Sequence, residues 1–572
     1  MNRLNGQYLT RIKNTRLESS PVKKWLHEYS RSFSYVGLVV ATLLFAGSVS
    51  PSLLPRPPVV QGILSGFVLA IGYGIGVLLV LTWRFLQLPI VSDKTKLWGK
   101  RVSTVMVGII AFYFVWSTSD WQNSIRERMD MPPVESAYPI TFFTIAILWS
   151  WGLVLLARFL LRCNRYLSAK LRRFVPRRIA TGISTFIVFL VTIFVANGVV
   201  TDGALNLADN FFLQADQMID EGIERPERSL VCGSPDSLVP WDMIGRKGKT
   251  FIAGGPTAES IEAVTGETSL EPVRVYVGME TIDDEVSQAK LALQELIRVG
   301  GFDRSILIVA TPTGTGWLDP GAVDTVEYLH NGDTATVSIQ YSYLPSWITI
   351  LIDPDRSKRS ARALFTTVYD YWKGLPKNGR PKLYLQGLSL GSLGSEDAAD
   401  LLTIFEDPIH GAVWSGPPFP SQQWKKIVHD RNPGTPEWMP TYRQQRIIRF
   451  TAQENHLQID KPWGAMRNVY IQYASDPMVW FSHDLAWRPP AWLNEPRGPD
   501  VSPQLQWYPL VTYLQVAFDL AISTSVPVGH GHNYSPASYI DAWIGVTDPE
   551  GWTPEKIALL KETIVPPIDP DP

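Results

Sequence analysis

Residues 382–391 read KLYLQGLSLG, and this stretch decides the fold that the sequence predicts. The β-rich run 382–385 stops directly before a G-x-S-x-G pattern centred on Ser389, and a helix-compatible run, Ser392 to Phe405, follows it. A serine on a tight strand-to-helix turn presents its hydroxyl clear of the sheet. The helix N-terminus behind it favours negative charge on a developing oxyanion. The stretch therefore predicts Ser389 as a nucleophile.

Strand patterns alternate with helix patterns on both sides of this turn. The other β-rich runs lie at 273–277, 305–310, 336–341, 411–414 and 469–473. Helical spacing of apolar residues falls between several of them, as at 287–299 and 360–372. Such alternation predicts an α/β fold with a mostly parallel sheet, covered on both faces, over residues 272–572. Functional sites in such sheets form at the C-terminal ends of the strands.

The predicted acid is Asp476, because a serine nucleophile of this kind is followed along the chain by an acid and then a histidine. Asp476 comes directly after the strand 469–473, although an Asp-Pro turn with Pro477 is the structural alternative. Asp400 and Asp484 are weaker candidates because neither follows a strand end.

The predicted base lies in the late Gly-rich stretch PVGHGHNY at 527–534. It contains His530 and His532, and we favour His532, with His530 as the alternative. An H-x-H pair could also bind a metal, but the sequence shows no third ligand, so we predict neither a metal nor a cofactor.

The oxyanion hole is predicted to use the N–H of Leu390, the residue after the nucleophile. A second donor is expected from TPTGTGW at 311–317, which follows the strand 305–310, and Gly314 and Thr315 are the candidates. A phosphate-binding loop is the alternative, but no Lys follows in Walker-A spacing.

The first part of the chain is strongly apolar. Five stretches approach the roughly 20 residues that cross a bilayer, at 34–54, 59–83, 102–119, 138–160 and 180–201. The first begins only after a long polar tail and others follow it, so it is not a cleavable signal peptide.

Lys and Arg concentrate in the tail and in the loops after the second and fourth stretches. By the positive-inside rule, the N-terminus is cytoplasmic and everything after about residue 202 lies outside, as in an inner or plasma membrane. The predicted divisions are a basic tail (1–33), a transmembrane domain (34–202), a connector (203–271) and a catalytic domain (272–572).

The composition limits the partners and the cysteine chemistry. The net charge of −2 over 572 residues shows no basic excess for binding nucleic acid. The two cysteines, Cys163 and Cys232, are too few for a disulfide framework or a metal site, so we expect unpaired thiols.

Four stretches together resemble a bacterial membrane α/β-hydrolase family in which several N-terminal spans precede a hydrolase domain. They are TPTGTGWLDP at 311–320, QYSYLPSW at 340–347, RPKLYLQGLSLGS at 380–392 and GHGHNY at 529–534. The resemblance covers nearly the whole chain. It implies the α/β-hydrolase fold, a membrane location and a Ser–Asp–His triad of Ser389, Asp476 and His532, but it supplies no substrate.

The predicted activity is cleavage of acyl esters by a serine hydrolase, with the lipid bilayer as a partner. Inserts at 415–468 and 481–526 are rich in Pro and Trp, which suits a lid and a pocket for acyl chains of lipid or cell-envelope esters. Structural packing is the alternative for these inserts. Acyl transfer through the same acyl-enzyme is a second possible activity, and a non-catalytic sensor or transport-associated protein is a third.

Overall fold

The chain forms two compact units in the computed structural model. The structure describes residues 29, 32–89, 92–196, 198, 203, 211–282, 284–400, 404–493 and 496–564. Within these residues, the first unit consists of the chain up to 49 together with 58–118 and 138–157. The second, here called the hydrolase unit, consists of 50–57, 119–137 and 158–572.

The N-terminal region is helical. Its helices are α1 (Tyr35–Ser48), α2 (Pro58–Phe85), α3 (Asp93–Trp116), α4 (Thr118–Arg126), α5 (Pro139–Leu171) and α6 (Arg177–Phe194). Among the described residues, four helical stretches are long and apolar enough to cross a membrane: α2, α3 with its continuation to Met129, α5 and α6. The structure thus supports four of the five predicted spans.

The first predicted span, 34–54, is not one helix. Helix α1 ends at Ser48 after 14 residues, which is shorter than the roughly 20 that a bilayer requires. Pro51 and Pro55 follow, and proline cannot continue the hydrogen-bonding pattern of a helix. Residues 50–57 belong instead to the hydrolase unit.

The apolar helices expose large hydrophobic side chains to their surroundings. Helix α3 has no buried residue. Phe112, Ile140 and Phe186 are 68%, 82% and 61% exposed. Apolar surface on this scale is what a lipid environment would cover. By contrast, α1 and α2 approach closely, since a Cβ on Gly76 would lie 2.6 Å from the Cα of Gly37.

A parallel seven-stranded sheet forms the centre of the hydrolase unit. The strands are β1 (Val273–Val277), β2 (Ile306–Thr311), β3 (Thr334–Ile339), β4 (Lys382–Leu388), β5 (Gly411–Ser415), β6 (Ile448–Thr451) and β7 (Arg467–Ile471). They lie in the order β1-β3-β2-β4-β5-β7-β6, and every neighbouring pair is parallel. The strands are almost wholly buried, as predicted for a sheet covered on both faces.

Helices surround this sheet. They are α7 (Arg246–Ala253), α8 (Ala258–Thr265), α9 (Glu285–Arg298), α10 (Pro320–Leu329), α11 (Ser346–Ile352), α12 (Asp355–Gly374), α13 (Leu390–Ala398), α14 (Gln422–His429), α15 (Pro477–Trp480), α16 (Val511–Leu520), α17 (Pro536–Thr547) and α18 (Pro554–Thr563). Helix α12 packs against α9 and α13, and α10 packs against α17.

Six of the seven strands occur where the sequence predicts them, with ends shifted by a few residues. The strand missing from the prediction is β6, a four-residue strand at the edge of the sheet. Arg449 lies in this strand, and a charged residue normally indicates an exposed position, but this side chain is buried. The guanidinium donates to the carbonyls of Gln445, Leu457 and Lys461, which satisfies a buried charge.

Part of the predicted connector belongs to the hydrolase core. Cys232 and Val239 are fully buried there, and Trp241 is nearly so. Neither Cys163 nor Cys232 forms a disulfide, as predicted.

The strand order places a switch point between β2 and β4. The chain moves from β2 to β3 on one side, and then returns to add β4 on the other. In open parallel sheets, ligands bind outside the C-terminal ends of the strands at such a point. The predicted nucleophile follows β4 there.

Candidate active site

Ser389 lies on the sharp turn between β4 and α13. Its backbone has φ +57° and ψ −125°, a conformation that costs an L-residue about 1–3 kcal/mol. The turn is held by a hydrogen bond from its N–H to the carbonyl of Ser415, at the end of β5, at 3.0 Å. The helix begins at Leu390, so Ser389 is its N-cap residue.

The two glycines of the motif are required by close backbone approaches. A Cβ on Gly387 would lie 2.4 Å from the backbone of Gly391. A Cβ on Gly391 would lie 2.2 Å from the carbonyl oxygen of Thr311, at the end of β2. Real Cβ contacts are never this short, so only glycine allows the turn to sit against the switch point.

Asp476 and His532 are in direct contact. Nδ1 of His532 lies 2.7 Å from Oδ2 of Asp476, whose side chain is fully buried. The same oxygen accepts a hydrogen bond from the hydroxyl of Tyr534 at 2.8 Å, and Oδ1 accepts from the N–H of Met478 at 2.8 Å. Bonding of Nδ1–H to the carboxylate leaves Nε2 of His532 free to accept a proton.

The loop that carries His532 is fixed by several backbone contacts. The N–H of His532 donates to the carbonyl of Ser523 at 2.9 Å. The N–H of Gly531 donates to Oγ of Ser475 at 2.8 Å, and the N–H of Gly529 to the carbonyl of Asn533 at 2.8 Å. Gly529 and Gly531 both have positive φ, which explains why glycines flank the histidines.

Ser389 and His532 line the same small cavity. Oγ of Ser389 and Nε2 of His532 are buried and have no hydrogen-bond partner among the described residues. Buried polar atoms are nearly always paired, so unpaired ones in a cavity indicate a place where a ligand supplies the partner. The cavity measures ≈ 50 Å³. Its aromatic and aliphatic lining comprises Trp317, Trp347, Leu388, Met478, Leu520, Ala521 and Tyr534.

The alternative candidates lie elsewhere. His530 lines a different cavity with Asp500, and burial lowers the pKa of its imidazole. Asp484 lines a third cavity, and Asp400 is exposed beyond the end of α13. Of the two histidines, the structure therefore brings His532 to Ser389 and Asp476.

The predicted oxyanion donors differ in their surroundings. Leu390 is the first residue of α13 and is fully buried beside Ser389. The N–H of Gly314 donates to Oγ of Ser346 at 3.0 Å, and the hydroxyl of Thr315 lies 3.2 Å from that of Thr313. The cavity is lined by Thr313 and Ser346 rather than by Gly314 or Thr315.

A second carboxyl group, which sequence reasoning missed, lines this cavity. Asp319 caps α10 by accepting the N–H of Gly321 at 2.9 Å. Burial raises the pKa of Asp319 to about 7, although hydrogen bonds from Gly321 and from Tyr539 oppose the rise. Its Asp-Pro-Gly sequence signals a helix start, but nothing in that pattern shows that the carboxyl is buried at the cavity.

Gly416 is a further position that the sequence did not reveal. It follows β5 with φ +53°, and a Cβ there would lie 2.6 Å from Cε1 of His532. The absence of a side chain at this position therefore makes room for the imidazole.

Comparison with known proteins agrees with the fold. Residues 273–560 match the model of an alpha/beta-hydrolase family, and residues 49–256 match the model of an alpha/beta-hydrolase family N-terminus. No curated protein and no solved structure matches the chain.

Proposed function

The chain belongs to this alpha/beta-hydrolase family, and from that premise we propose that it is a membrane-anchored serine hydrolase of acyl esters. One observation carries the proposal. His532 is held by Asp476 at 2.7 Å, while its unpaired Nε2 lines the same cavity as the unpaired hydroxyl of Ser389. This is the arrangement that a base and a nucleophile require.

The proposed reaction has two steps. Oγ of Ser389 forms a bond to the ester carbonyl carbon while its proton passes to Nε2 of His532. The alcohol leaves with that proton, and the serine keeps the acyl group. Water then attacks the acyl carbonyl carbon as its proton passes to Nε2 of His532. The bond to Oγ of Ser389 breaks, His532 returns the proton to that oxygen, and the acid is released. Asp476 stabilises the imidazolium in both steps.

Charge on the tetrahedral intermediate would be stabilised from the start of α13. The N–H of Leu390 and the helix N-terminus provide positive potential at this point. The hydroxyl of Ser346, which lines the cavity and already accepts from Gly314, is a further candidate donor.

The apolar lining of the cavity favours an acyl group as the part of the substrate that it receives. Its ≈ 50 Å³ has room for only a few water molecules. Four apolar helices long enough to cross a bilayer would keep the domain beside lipids, which favours lipid or cell-envelope esters. Cleavage of short soluble esters alone, with acyl lipids untouched even in detergent, would exclude the lipid substrates.

The packing of two N-terminal segments supports a proposal for the side of the membrane. Leu53 and Leu54 of 50–57, and Ile125 and Met129 of 119–137, are fully buried in the hydrophobic core of the hydrolase unit, and the positive-inside rule assigns both segments to the outside. We therefore propose an extracytoplasmic catalytic domain, with the connection between α2 and α3 on the cytoplasmic side. In a Cys163→Ser background, Glu550→Cys should react with an impermeant maleimide on intact cells. Lys96→Cys should react only after permeabilisation, and the reverse result would invert the topology.

A fluorophosphonate probe tests the catalytic proposal. Oγ of Ser389 would form a bond to phosphorus as fluoride leaves and His532 takes the serine proton. We expect labelling of the wild type, none of Ser389→Ala, and normal labelling of Ser395→Ala, a matched change further along α13. Persistent labelling of Ser389→Ala would move the nucleophile elsewhere. An unlabelled wild type would favour the non-catalytic alternative.

A further inference from the structure

Residues 50–57, here called the first loop, join α1 to α2 in sequence but pack inside the hydrolase unit. The loop reads SPSLLPRP. Leu53 and Leu54 are fully buried and belong to the same hydrophobic core as the central sheet. A linker between two apolar helices has no need of such burial, so its packing calls for another explanation.

Helix α16 anchors the first loop through polar contacts. Oδ2 of Asp519 accepts hydrogen bonds from the hydroxyl of Ser52 at 2.6 Å and the N–H of Leu53 at 3.2 Å. Its other oxygen lies 4.0 Å from Nε of Arg56, and both side chains are completely buried. One turn earlier, the amide of Gln515 donates to the carbonyl of Ser50 at 2.9 Å.

The buried ion pair makes the position of the loop specific. A buried charge without an opposite charge nearby is strongly destabilising, and Arg56 supplies the opposite charge beside Asp519. Arg56 is fixed in turn, since its N–H donates to Oε1 of Gln122 at 3.0 Å and its Nη2 to the carbonyl of Ser50 at 3.0 Å.

Two routes lead from the first loop to His532. Helix α16 ends beside the catalytic cavity, where Leu520 and Ser523 form part of the wall, and the carbonyl of Ser523 accepts the N–H of His532. More directly, Leu54 packs on the histidine loop, because a Cβ on Gly531 would lie 3.2 Å from Cδ2 of Leu54.

A second N-terminal connection, 119–137, which contains most of α4, supports the part of the site that carries Asp476. Its Ser124 lies 2.7 Å from Ser502, hydroxyl to hydroxyl, and Ile125 and Met129 are fully buried. Asp500 is close to Ser502 in sequence, and its Oδ2 accepts a hydrogen bond at 2.6 Å from the hydroxyl of Ser475, the neighbour of Asp476. Both loops of the N-terminal region thus contact segments that position the triad.

We infer that the first loop is a positioning element of the active site: Leu54 and the Arg56–Asp519 pair fix the loop that carries His532. The N-terminal region then supplies part of the catalytic support as well as an anchor. This inference rests on the proposed serine hydrolase activity, because positioning has meaning only if His532 acts on Ser389.

The test compares the rate and the extent of fluorophosphonate labelling in the full-length chain. Leu54→Ala and Arg56→Met should slow labelling roughly 10- to 100-fold, the cost of a displaced catalytic group, while nearly all molecules are still labelled in the end. The pH dependence of the labelling rate should also change in both variants. Amide hydrogen exchange over 523–533 should rise in both variants.

Leu560→Ala is the matched control, because it removes the same atoms from a fully buried leucine in α18. It should lower the extent of labelling at most, and not the rate. Arg56→Met combined with Asp519→Asn leaves no buried charge unpaired, so it should label faster than Arg56→Met alone. If Leu54→Ala does not fold, Leu54→Val makes the same comparison with a smaller loss of packing.

The outcomes separate the two proposals. An unlabelled wild type contradicts the serine hydrolase itself. A labelled wild type with wild-type rates in Leu54→Ala and Arg56→Met overturns the positioning role and leaves the activity standing. A reduced extent at an unchanged rate, as in Leu560→Ala, also overturns it, because the first loop would then serve stability alone.

Discussion

The hydroxyl of Tyr534 lies 2.8 Å from Oδ2 of Asp476, the same carboxylate oxygen that contacts His532. Burial and the neighbouring carboxylate both raise the pKa of Tyr534 well above its usual value, so the phenol stays a hydrogen-bond donor. The carboxylate therefore receives two hydrogen bonds on one oxygen. Because the Asp476 side chain is fully buried, the second hydrogen bond stabilises the charge that orients the imidazole.

Tyr534→Phe should lower the fluorophosphonate labelling rate roughly tenfold without unfolding the protein. The change removes one hydrogen bond to a charged group, and such bonds contribute about 1.5–3 kcal/mol. The ring itself remains stacked on Tyr473, with 4.4 Å between centroids. Tyr369→Phe is the control, since it deletes a hydroxyl bonded to the carbonyl of Asp407, away from the cavity. Equal rates in both variants would deny the Tyr534 hydroxyl any role.

Asp476→Asn should reduce the labelling rate by roughly three to four orders of magnitude. An amide in place of the carboxylate neither favours the reactive imidazole tautomer nor stabilises the imidazolium. Circular dichroism should show a folded protein. Asp484→Asn and Asp400→Asn, the two rival acids, should label at the wild-type rate, and a large loss in either would reassign the acid.

Gly416→Ala should slow labelling roughly 100-fold, because the new Cβ would lie 2.6 Å from Cε1 of His532 and displace the imidazole. Gly434→Ala is a matched control. It has a similar positive φ of +83°, but a Cβ there would meet nothing within 4 Å. Both variants carry the backbone strain and only one carries the clash, so similar rates would show that His532 tolerates the contact.

The candidate catalytic residues were predictable because each is marked by a short local sequence pattern. Gly387, Ser389 and Gly391 mark a turn whose spacing follows from the strand before it and the helix after it. Asp476 directly follows a β-rich run, and His532 lies in a glycine-rich loop. Each signal occupies a few adjacent residues, so one sequence is enough to recognise it.

The supporting residues were not predictable, because their roles arise between distant segments. Arg56 and Asp519 are ordinary charged residues until the fold buries them together. The sequence around Gly416 gives no sign of a role, because its contact with His532 forms only in the folded protein. The edge strand β6 was missed because it contains a charged residue, Arg449. Its guanidinium donates to nearby backbone carbonyls, and the pattern of polar and apolar residues does not reveal these contacts.

The last prediction concerns the buried carboxyl group of Asp319. Its pKa is raised from 3.8 to about 7 by burial, so the folded protein retains this proton where the unfolded chain releases it. The proton contributes its full stabilisation of the folded state below pH 3.8. This contribution falls as the pH rises from 3.8 to about 7, and it is lost above that pH. Asp319→Asn cannot ionise and escapes this loss. The free energy of unfolding of the variant minus that of the wild type should therefore increase with pH, by at most about 1.4 kcal/mol per pH unit.

Thermal unfolding of the full-length chain in detergent between pH 4 and 8 measures this difference. The melting temperature of Asp319→Asn minus that of the wild type should increase up to about pH 7 and then level off. Other buried acids contribute equally to both proteins and cancel in the difference. Asp236→Asn, at an exposed position, should give a difference that does not vary with pH. A flat difference for Asp319→Asn as well would mean that its carboxyl group is ionised in the folded cavity at pH 4, with solvent or a counter-charge beside it.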